Sequence, residues 1–257
     1  MVFLNVPARV LGVIPARYQS SRFPGKALAS LAGKSILQHV YERACQSRYL
    51  SKVLIATDDE RIRSAAAAFG APVRMTRADH ISGTDRVAEV ASAEECSIVV
   101  NIQGDEPLID PAAIDAATLS LLDDQTVPMG TLKKRIEREE EILSPHVVKV
   151  VVSREGNAIY FSRSPIPYTR DAASLAEAGT AYFKHIGLYV YRRDFLLSYS
   201  SLPVGPLELA ERLEQLRALE NGYPIRVVET EYESLGVDTP EDLAKVAALF
   251  AHTHLPI

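Results

Sequence analysis

Apolar positions along the chain follow two rhythms, and their alternation predicts the fold. Short β-type runs at residues 10–14, 53–56, 73–75 and 98–102 are separated by segments of helical spacing, the pattern of a parallel sheet covered on both faces. Ile36, Leu37, Val40, Tyr41, Ala44 and Cys45 fall on one face of the first helix, and Ser35 with Gln38 forms a capping-box pattern at its start. A second helix over 60–69 closes on Gly70. A third begins after Gly83 with Val87, Val90 and Ala91 inward, and Asp110 followed by Pro111 starts a fourth.

After Thr126 the rhythm changes. Strand patterns at 127–132, 147–152, 158–161 and 183–191 are joined by hairpin-like or irregular connections. They predict a partly antiparallel lobe at about 127–200, inserted in a single domain spanning 1–257. Residues 133–141 are a charge run that reads as a solvated helix face, and 169–180 reads as a mobile loop. Helices return at 207–219 and 241–250 around a strand at 225–228.

Composition narrows the function. With 257 residues, 47% hydrophobic and 24% charged, the chain buries a full core. A formal charge of −5 with scattered Lys and Arg leaves no basic footprint for a nucleic acid, so the expected partners are small molecules. No run approaches the roughly 20 apolar residues of a membrane span, and residues 1–7 are too short for a leader; the expectation is no membrane partner and a cytoplasmic location. Cys45 and Cys96 stand alone and read as buried thiols in a reducing compartment.

The loop after the first strand, Pro15-Ala16-Arg17-Tyr18-Gln19-Ser20-Ser21-Arg22-Phe23-Pro24-Gly25-Lys26, carries the first chemistry. Open α/β sheets bind ligands beyond their C-terminal strand ends. There the Arg17 and Arg22 guanidiniums, the Lys26 ammonium and exposed N–H groups supply the several fixed donors that a polyphosphate needs; a solvated surface loop has the same composition. Lys26 is followed by Ala27, and no glycine stands five residues before Gly25, so this is not a P-loop. No G-x-G-x-x-G is present either.

The string Ile14-Pro15-Ala16-Arg17, continued by Ser20-Ser21-Arg22-Phe23-Pro24-Gly25-Lys26, resembles the nucleotide-binding signature of the CMP-Kdo synthetases. The resemblance runs on through Ala56-Thr57-Asp58-Asp59, Met75-Thr76-Arg77-Ala78-Asp79-His80, Ser82-Gly83-Thr84-Asp85-Arg86 and Asn101-Ile102-Gln103-Gly104-Asp105-Glu106-Pro107, and covers essentially the whole chain. It implies a three-layer α/β/α, glycosyltransferase-A-like nucleotidyltransferase fold with a mainly parallel sheet. It also implies a homodimer that joins CMP from CTP to 3-deoxy-D-manno-octulosonate (Kdo) for lipopolysaccharide biosynthesis. By that resemblance Arg17, Ser20, Arg22 and Lys26 hold the triphosphate, and Arg77, Ser82 and Gln103 lie near the cytosine.

Nucleotidyl transfer calls for Mg²⁺, a hard ion usually held by one or two carboxylates plus phosphate oxygens. Asp105 sits at the end of the fourth strand with Gly104 beside it; alone, such an acid is equally a turn former. Asp238 precedes Thr239 as N-cap and Pro240 at N1, a complete helix start without any ligand. The resemblance identifies both as the metal ligands and leaves Glu106, Glu241 and Asp242 as turn and cap residues.

The strand at 183–191 places His185, Gly187, Tyr189 and Tyr191 on one face, a polar-aromatic surface with a glycine gap that suits a polyol as well as a packed core. Lys184-His185-Ile186-Gly187-Leu188-Tyr189 looks like the family's sugar-binding strand, and Glu214 and Gln215 match its sugar-hydroxyl ligands. They lie on a helix whose Leu209, Leu213 and Leu216 have core spacing. Arg163 is a candidate for the sugar-acid carboxylate or for a structural ion pair. The stretch before that helix, Leu202-Pro203-Val204-Gly205-Pro206, is apolar where the family usually shows acidic or aromatic residues. An enzyme for 8-amino-8-deoxy-Kdo or for sialic acid therefore stands as the alternative.

The expected reaction is in-line attack of the sugar 2-hydroxyl on the α-phosphorus, catalysed by positioning, by the cations Lys26, Arg17 and Arg22, and by Mg²⁺ on Asp105 and Asp238. No Ser-His-Asp arrangement or reactive cysteine appears at motif spacing. A sugar-1-phosphate nucleotidyltransferase needs a further phosphate site that is not found. A silent nucleotide-binding protein of this fold would have been marked by loss of Lys26, Asp105 or Asp238, and all three are present.

Overall fold

The structure, a computed structural model, describes residues 9–20, 22–170 and 182–252. The readings of residues 1–7 and of 171–180 in the loop lie outside these. Two compact units divide the chain: Met1–Asp115 with Ser234–Ile257, and Ala116–Glu233.

In the first unit the chain forms β1 (Val10–Pro15), a 3-10 turn at Lys26–Leu28, the small hairpin of β2 (Ser30–Leu31) and β3 (Lys34–Ser35), α1 (Ile36–Ala44), β4 (Lys52–Thr57), α2 (Glu60–Ala68), β5 (Val73–Met75), α3 (Gly83–Ser92) and β6 (Ile98–Asn101). The four longer central strands run parallel in the order β6-β1-β4-β5. Consecutive positions Val10 to Ile14 are buried, which requires cover on both faces of β1 and explains its unbroken apolar run. The unit boundary falls within α4 (Pro111–Asp123).

Local chemistry sets the helix starts. Ser35 Oγ accepts from Gln38 N–H at 3.1 Å, but the Gln38 side chain reaches forward to Glu42 at 2.9 Å, so only half of the predicted capping box forms. Cys45 lies past the last turn of α1 and is exposed, which corrects its reading as a buried thiol. Gly70, at φ +79°, follows α2 as predicted.

The second unit contains β7 (Met129–Arg135), α5 (Glu139–Leu143), β8 (Lys149–Val152), β9 (Ala158–Ser162), β10 (Phe183–Arg192), α6 (Arg193–Tyr199), α7 (Pro206–Glu211), α8 (Leu216–Glu220) and β11 (Ile225–Glu229). β7 pairs parallel with β11 and antiparallel with β10, while β8 pairs antiparallel with β9 and β10. Two expectations are corrected here. Lys133, Lys134 and Arg135 belong to β7 rather than to a helix, because β7 has strand neighbours on both sides. The Lys133 ammonium lies 3.4 Å from the Phe183 ring centroid and 3.3 Å from Glu229. The helix expected over 207–219 is broken at Arg212, whose φ of +54° ends α7. That break turns Leu209 outward, 56% exposed, while Leu213 and Leu216 stay buried.

The chain then re-enters the first unit and ends its described part in α9 (Pro240–His252). Val237 and Val246 join Leu31 and Ile36 in one apolar cluster, with Phe23 packed against it. Each such side chain contributes roughly 1.5–3 kcal/mol by leaving water, so the loop after β1 and the segment before α9 are held against a common core. Among the described residues no helix is long and apolar enough to cross a membrane.

Candidate active site

The loop after β1 is shaped by one glycine. Gly25 adopts φ +73° and its N–H donates to Tyr18 O at 2.8 Å; a Cβ there would stand 3.1 Å from the Tyr18 ring. The turn thus requires glycine and delivers Lys26 to the start of the 3-10 turn. Lys26 Nζ donates to Asp105 Oδ2 at 2.6 Å and to Asp238 Oδ1 at 2.8 Å. Arg22 completes the group with Nη2 at 2.8 Å from Asp238 Oδ2.

Three separate segments position this cluster. Gly104 lets the end of β6 approach β1, since a Cβ would fall 2.9 Å from Pro15 O. Val237 N–H donates to Asp105 O at 2.9 Å, which ties the two carboxylate segments together. Asp242 accepts from the backbone N–H groups of Asp238 and Thr239, and its own N–H donates to Thr239 Oγ1 at 3.2 Å. Asp242 is therefore the cap residue read from the sequence. Glu106 accepts from Ser234 Oγ at 2.7 Å.

The charges act on one another. Burial pushes the Lys26 ammonium down, but Asp105 and Asp238 outweigh it and hold the pKa above the usual lysine value. Burial likewise pushes Asp238 up, and Lys26 and Arg22 pull it below the usual carboxylate range. Among the described residues no three Asp, Glu, His or Cys side chains converge as a metal cage. Two hard carboxylate oxygens meeting at one cationic atom nevertheless fit Mg²⁺, which takes one or two carboxylates and completes its shell with phosphate oxygens and water.

The remaining nucleotide candidates line the same unit. Arg17 Nη2 donates to the carbonyls of His80 at 2.5 Å and Ser82 at 3.2 Å. Ser20 Oγ accepts from Phe23 N–H at 3.4 Å. Ser82 caps α3, its hydroxyl accepting from Asp85 N–H at 3.1 Å. Arg77 pairs with Asp79 at 3.5 Å and keeps an exposed head; its neighbour Glu89 also binds His80. Gln103 follows β6, and its carbonyl accepts from Glu106 N–H at 3.4 Å. Beneath them Arg86, fully buried, stands 3.1 Å from Asp58 and donates to Thr76 Oγ1. The burial of Arg86 has no periodicity to betray it in the sequence, where an arginine on a helix reads as surface.

In the second unit the sugar candidates form a line. His185 meets the Phe161 ring edge at 5.0 Å and Tyr189 at 5.4 Å. Tyr189 Oη donates to Gln215 Oε1 at 3.1 Å, and the Gln215 amide nitrogen, on a residue only 3% exposed, has no hydrogen-bond partner among the described residues. Among the described residues a Cβ at Gly187 would meet nothing within 4 Å, which leaves open space there. Glu214 is held through its carbonyl, which accepts from Tyr199 Oη at 2.6 Å. Arg163 donates to Glu211 O at 2.8 Å and Pro145 O at 3.0 Å. Among the described residues no carboxylate lies in ion-pair reach of its guanidinium. Two residues that the sequence did not single out as site residues support this line. Thr131 bonds His185, and Glu211 accepts from Ser162 Oγ at 2.6 Å and Arg163 N–H at 2.9 Å.

A phosphate-type loop at the end of a parallel strand, facing two carboxylates bridged by a lysine, defines a nucleotidyltransferase of the α/β class. The family described as Cytidylyltransferase matches residues 11–231, and the chain belongs to it. A 3-deoxy-manno-octulosonate cytidylyltransferase of Solibacter usitatus is 71% identical over 245 residues, covering 95% of this chain and 96% of the relative. One of Geobacter metallireducens is 56% identical over 244 residues, covering 93% and 96%. A solved CMP:2-keto-3-deoxy-manno-octonic acid synthetase complexed with CTP has a TM-score of 0.90 at 48% identity, over 95% of this chain and 99% of that one.

Proposed function

We propose that this chain transfers CMP from CTP to 3-deoxy-manno-octulosonate, releasing pyrophosphate and yielding CMP-Kdo for lipopolysaccharide biosynthesis. The observation that carries the reading is the Lys26 ammonium held between Asp105 and Asp238, with Arg22 on the second carboxylate. Such a cluster trades its internal pairs for a polyphosphate and its cation. Lys26, Arg22, Arg17 and Ser20 then hold the triphosphate, and Arg77, Ser82 and Gln103 serve the cytosine. Asp105 and Asp238 would hold Mg²⁺, which when bound offsets phosphate charge and lowers the pKa of the attacking hydroxyl. The chain's own contribution is to orient the phosphates and to present positive charge to the leaving pyrophosphate.

The sugar acid falls to the second unit. His185, Tyr189, Gln215 and Glu214 serve its hydroxyls, supported by the unpaired Gln215 amide and the open space at Gly187. Arg163, with no carboxylate in ion-pair reach among the described residues, serves its carboxylate. On this reading the enzyme works in the cytoplasm as a homodimer, for which the exposed Leu143, Ile159 and Leu209 of the second unit supply apolar surface. The test is pyrophosphate release from CTP with Kdo, 8-amino-8-deoxy-Kdo or sialic acid, and from the other nucleoside triphosphates with Kdo. CTP with Kdo is expected to be fastest by a wide margin; faster turnover of another sugar acid overturns the substrate assignment.

A further inference from the structure

The pairing of β10 with β7 is interrupted where the aromatic line begins. Ile186 faces Leu132, and the next register pair is Tyr189 with Thr131, so the register shifts across Gly187 and Leu188 in a bulge. The Thr131 side chain, wholly buried, fills this bulge. Its hydroxyl oxygen lies 3.0 Å from Ile186 O, 2.8 Å from Leu188 O and 3.0 Å from His185 Nε2.

The hydrogen count favours one arrangement. A threonine hydroxyl has one proton to donate and two lone pairs to accept with, whereas a carbonyl only accepts. If the proton goes to the bulge carbonyls, the third neighbour must be a donor, and His185 carries its proton on Nε2. The opposite tautomer would take the threonine proton for the ring and leave neither carbonyl a hydrogen from Thr131, whose side chain is wholly buried. The ring does not escape by charging, because burial pushes the His185 pKa down to about 3. Among the described residues Nδ1 has no hydrogen-bond partner.

We propose that Thr131 is a positioning residue that fixes His185 as the Nε2–H tautomer, so that the ring presents Nδ1 as an acceptor to a hydroxyl of the sugar acid. Tyr189 sets the complementary group: by donating to Gln215 Oε1 it leaves the unpaired amide N–H groups as donors. The face therefore offers one acceptor and one donor, the pair that polyol hydroxyls match, since each can both give and take a hydrogen bond. The assignment rests on the reading of β10 as the sugar-binding strand.

Long-range ¹H–¹⁵N spectra of the whole protein near neutral pH, without ligand, read the tautomer directly; His185→Gln identifies the signal by its disappearance. The wild type is expected to show a protonated Nε2 and an unprotonated Nδ1. Thr131→Val, which keeps the shape and removes the hydroxyl, is expected to shift the tautomer toward Nδ1–H. It should raise KM for Kdo about tenfold with KM for CTP unchanged, the loss of one hydrogen bond; Thr131→Ser restores both. An Nδ1–H ring in the wild type, or a valine variant with unaltered tautomer and KM for Kdo, overturns the proposal, and the first of these needs no variant to fold. Because the tautomer is read without substrate, its failure is distinct from a failure of Kdo as substrate, which pyrophosphate release by the wild type reports.

Discussion

Lys26 and Asp238 lie 212 positions apart in the chain and meet at 2.8 Å. Asp105 meets the same ammonium at 2.6 Å, so three segments from the beginning, middle and end of the chain share one charge centre. The cluster buried beneath, with Phe23 and Val237 against Leu31 and Ile36, makes that meeting a consequence of the hydrophobic core.

Replacing Lys26 by Met removes the cation that both carboxylates share. Turnover is expected to fall about 10²- to 10³-fold, as when one preorganised charge-stabilising donor is lost. Far-ultraviolet circular dichroism should stay unchanged. Pyrophosphate release at saturating CTP and Kdo measures the loss, and near-normal turnover would remove Lys26 from the machinery.

The same cluster makes stability depend on pH at both extremes. Asp238, held below its ordinary 3.8, contributes stability above 3.8 that is lost as pH falls through the folded value. Lys26, held above 10.5, contributes fully below 10.5 and loses its contribution as pH rises through the folded value. Asp238 is 45% exposed at its side chain, so solvent screening keeps its effect small. Urea midpoints of Lys26→Met should show a weaker acid loss below 3.8 and no lysine-linked loss above 10.5.

His185 produces a slope of the opposite origin. Burial lowers its pKa from 6.5 to about 3, so between these values the unfolded chain binds a proton that the folded chain refuses. Stability from this residue is complete above 6.5 and falls as pH drops toward 3. His185→Gln should flatten the urea midpoint across that window, and the wild-type ring should show no titration of its ¹⁵N shifts from pH 5 to 8.

Lys149 is fully buried and donates to the carbonyls of Ser144 at 2.9 Å, Val147 at 2.8 Å and Arg163. Burial holds its ammonium below the usual lysine range. Lys149→Met strands three carbonyls and is expected to cost about 2–4 kcal/mol in urea unfolding. The affinity for Kdo should also fall, because the Arg163 segment loses its tie.

Gly104→Ala tests the close approach of β6 to β1. Its Cβ would sit 2.9 Å from Pro15 O, a backbone atom that cannot rotate aside. Asp105 must then shift, and turnover is expected to drop about 10²-fold with the fold retained. Wild-type turnover in a folded alanine variant would show that the spacing is unimportant.

Much of the first unit was legible because its signals are local. Consecutive apolar residues in β1, the Ser35 cap and Gly70 after α2 follow from side-chain periodicity and backbone sterics alone. Lys26, Asp105 and Asp238 were visible as residues of the right type at the ends of elements. Where the pattern misled, a non-local neighbour had overruled it. Strand partners on both sides drew Lys133 into β7, and a positive φ at Arg212 split a regular leucine spacing and turned Leu209 to solvent.

Residue types and their spacing thus decided the short strands, the helix starts and the loop that carries the cations, since these depend on interactions within a few positions of the chain. Packing alone decided that Lys26 bridges two acids, that Arg86 is buried against Asp58, and that the Thr131 hydroxyl reaches three partners across a bulge. Hydrogen bonds and ion pairs of that kind join residues distant in the chain, and their geometry exists only after the core has closed around them.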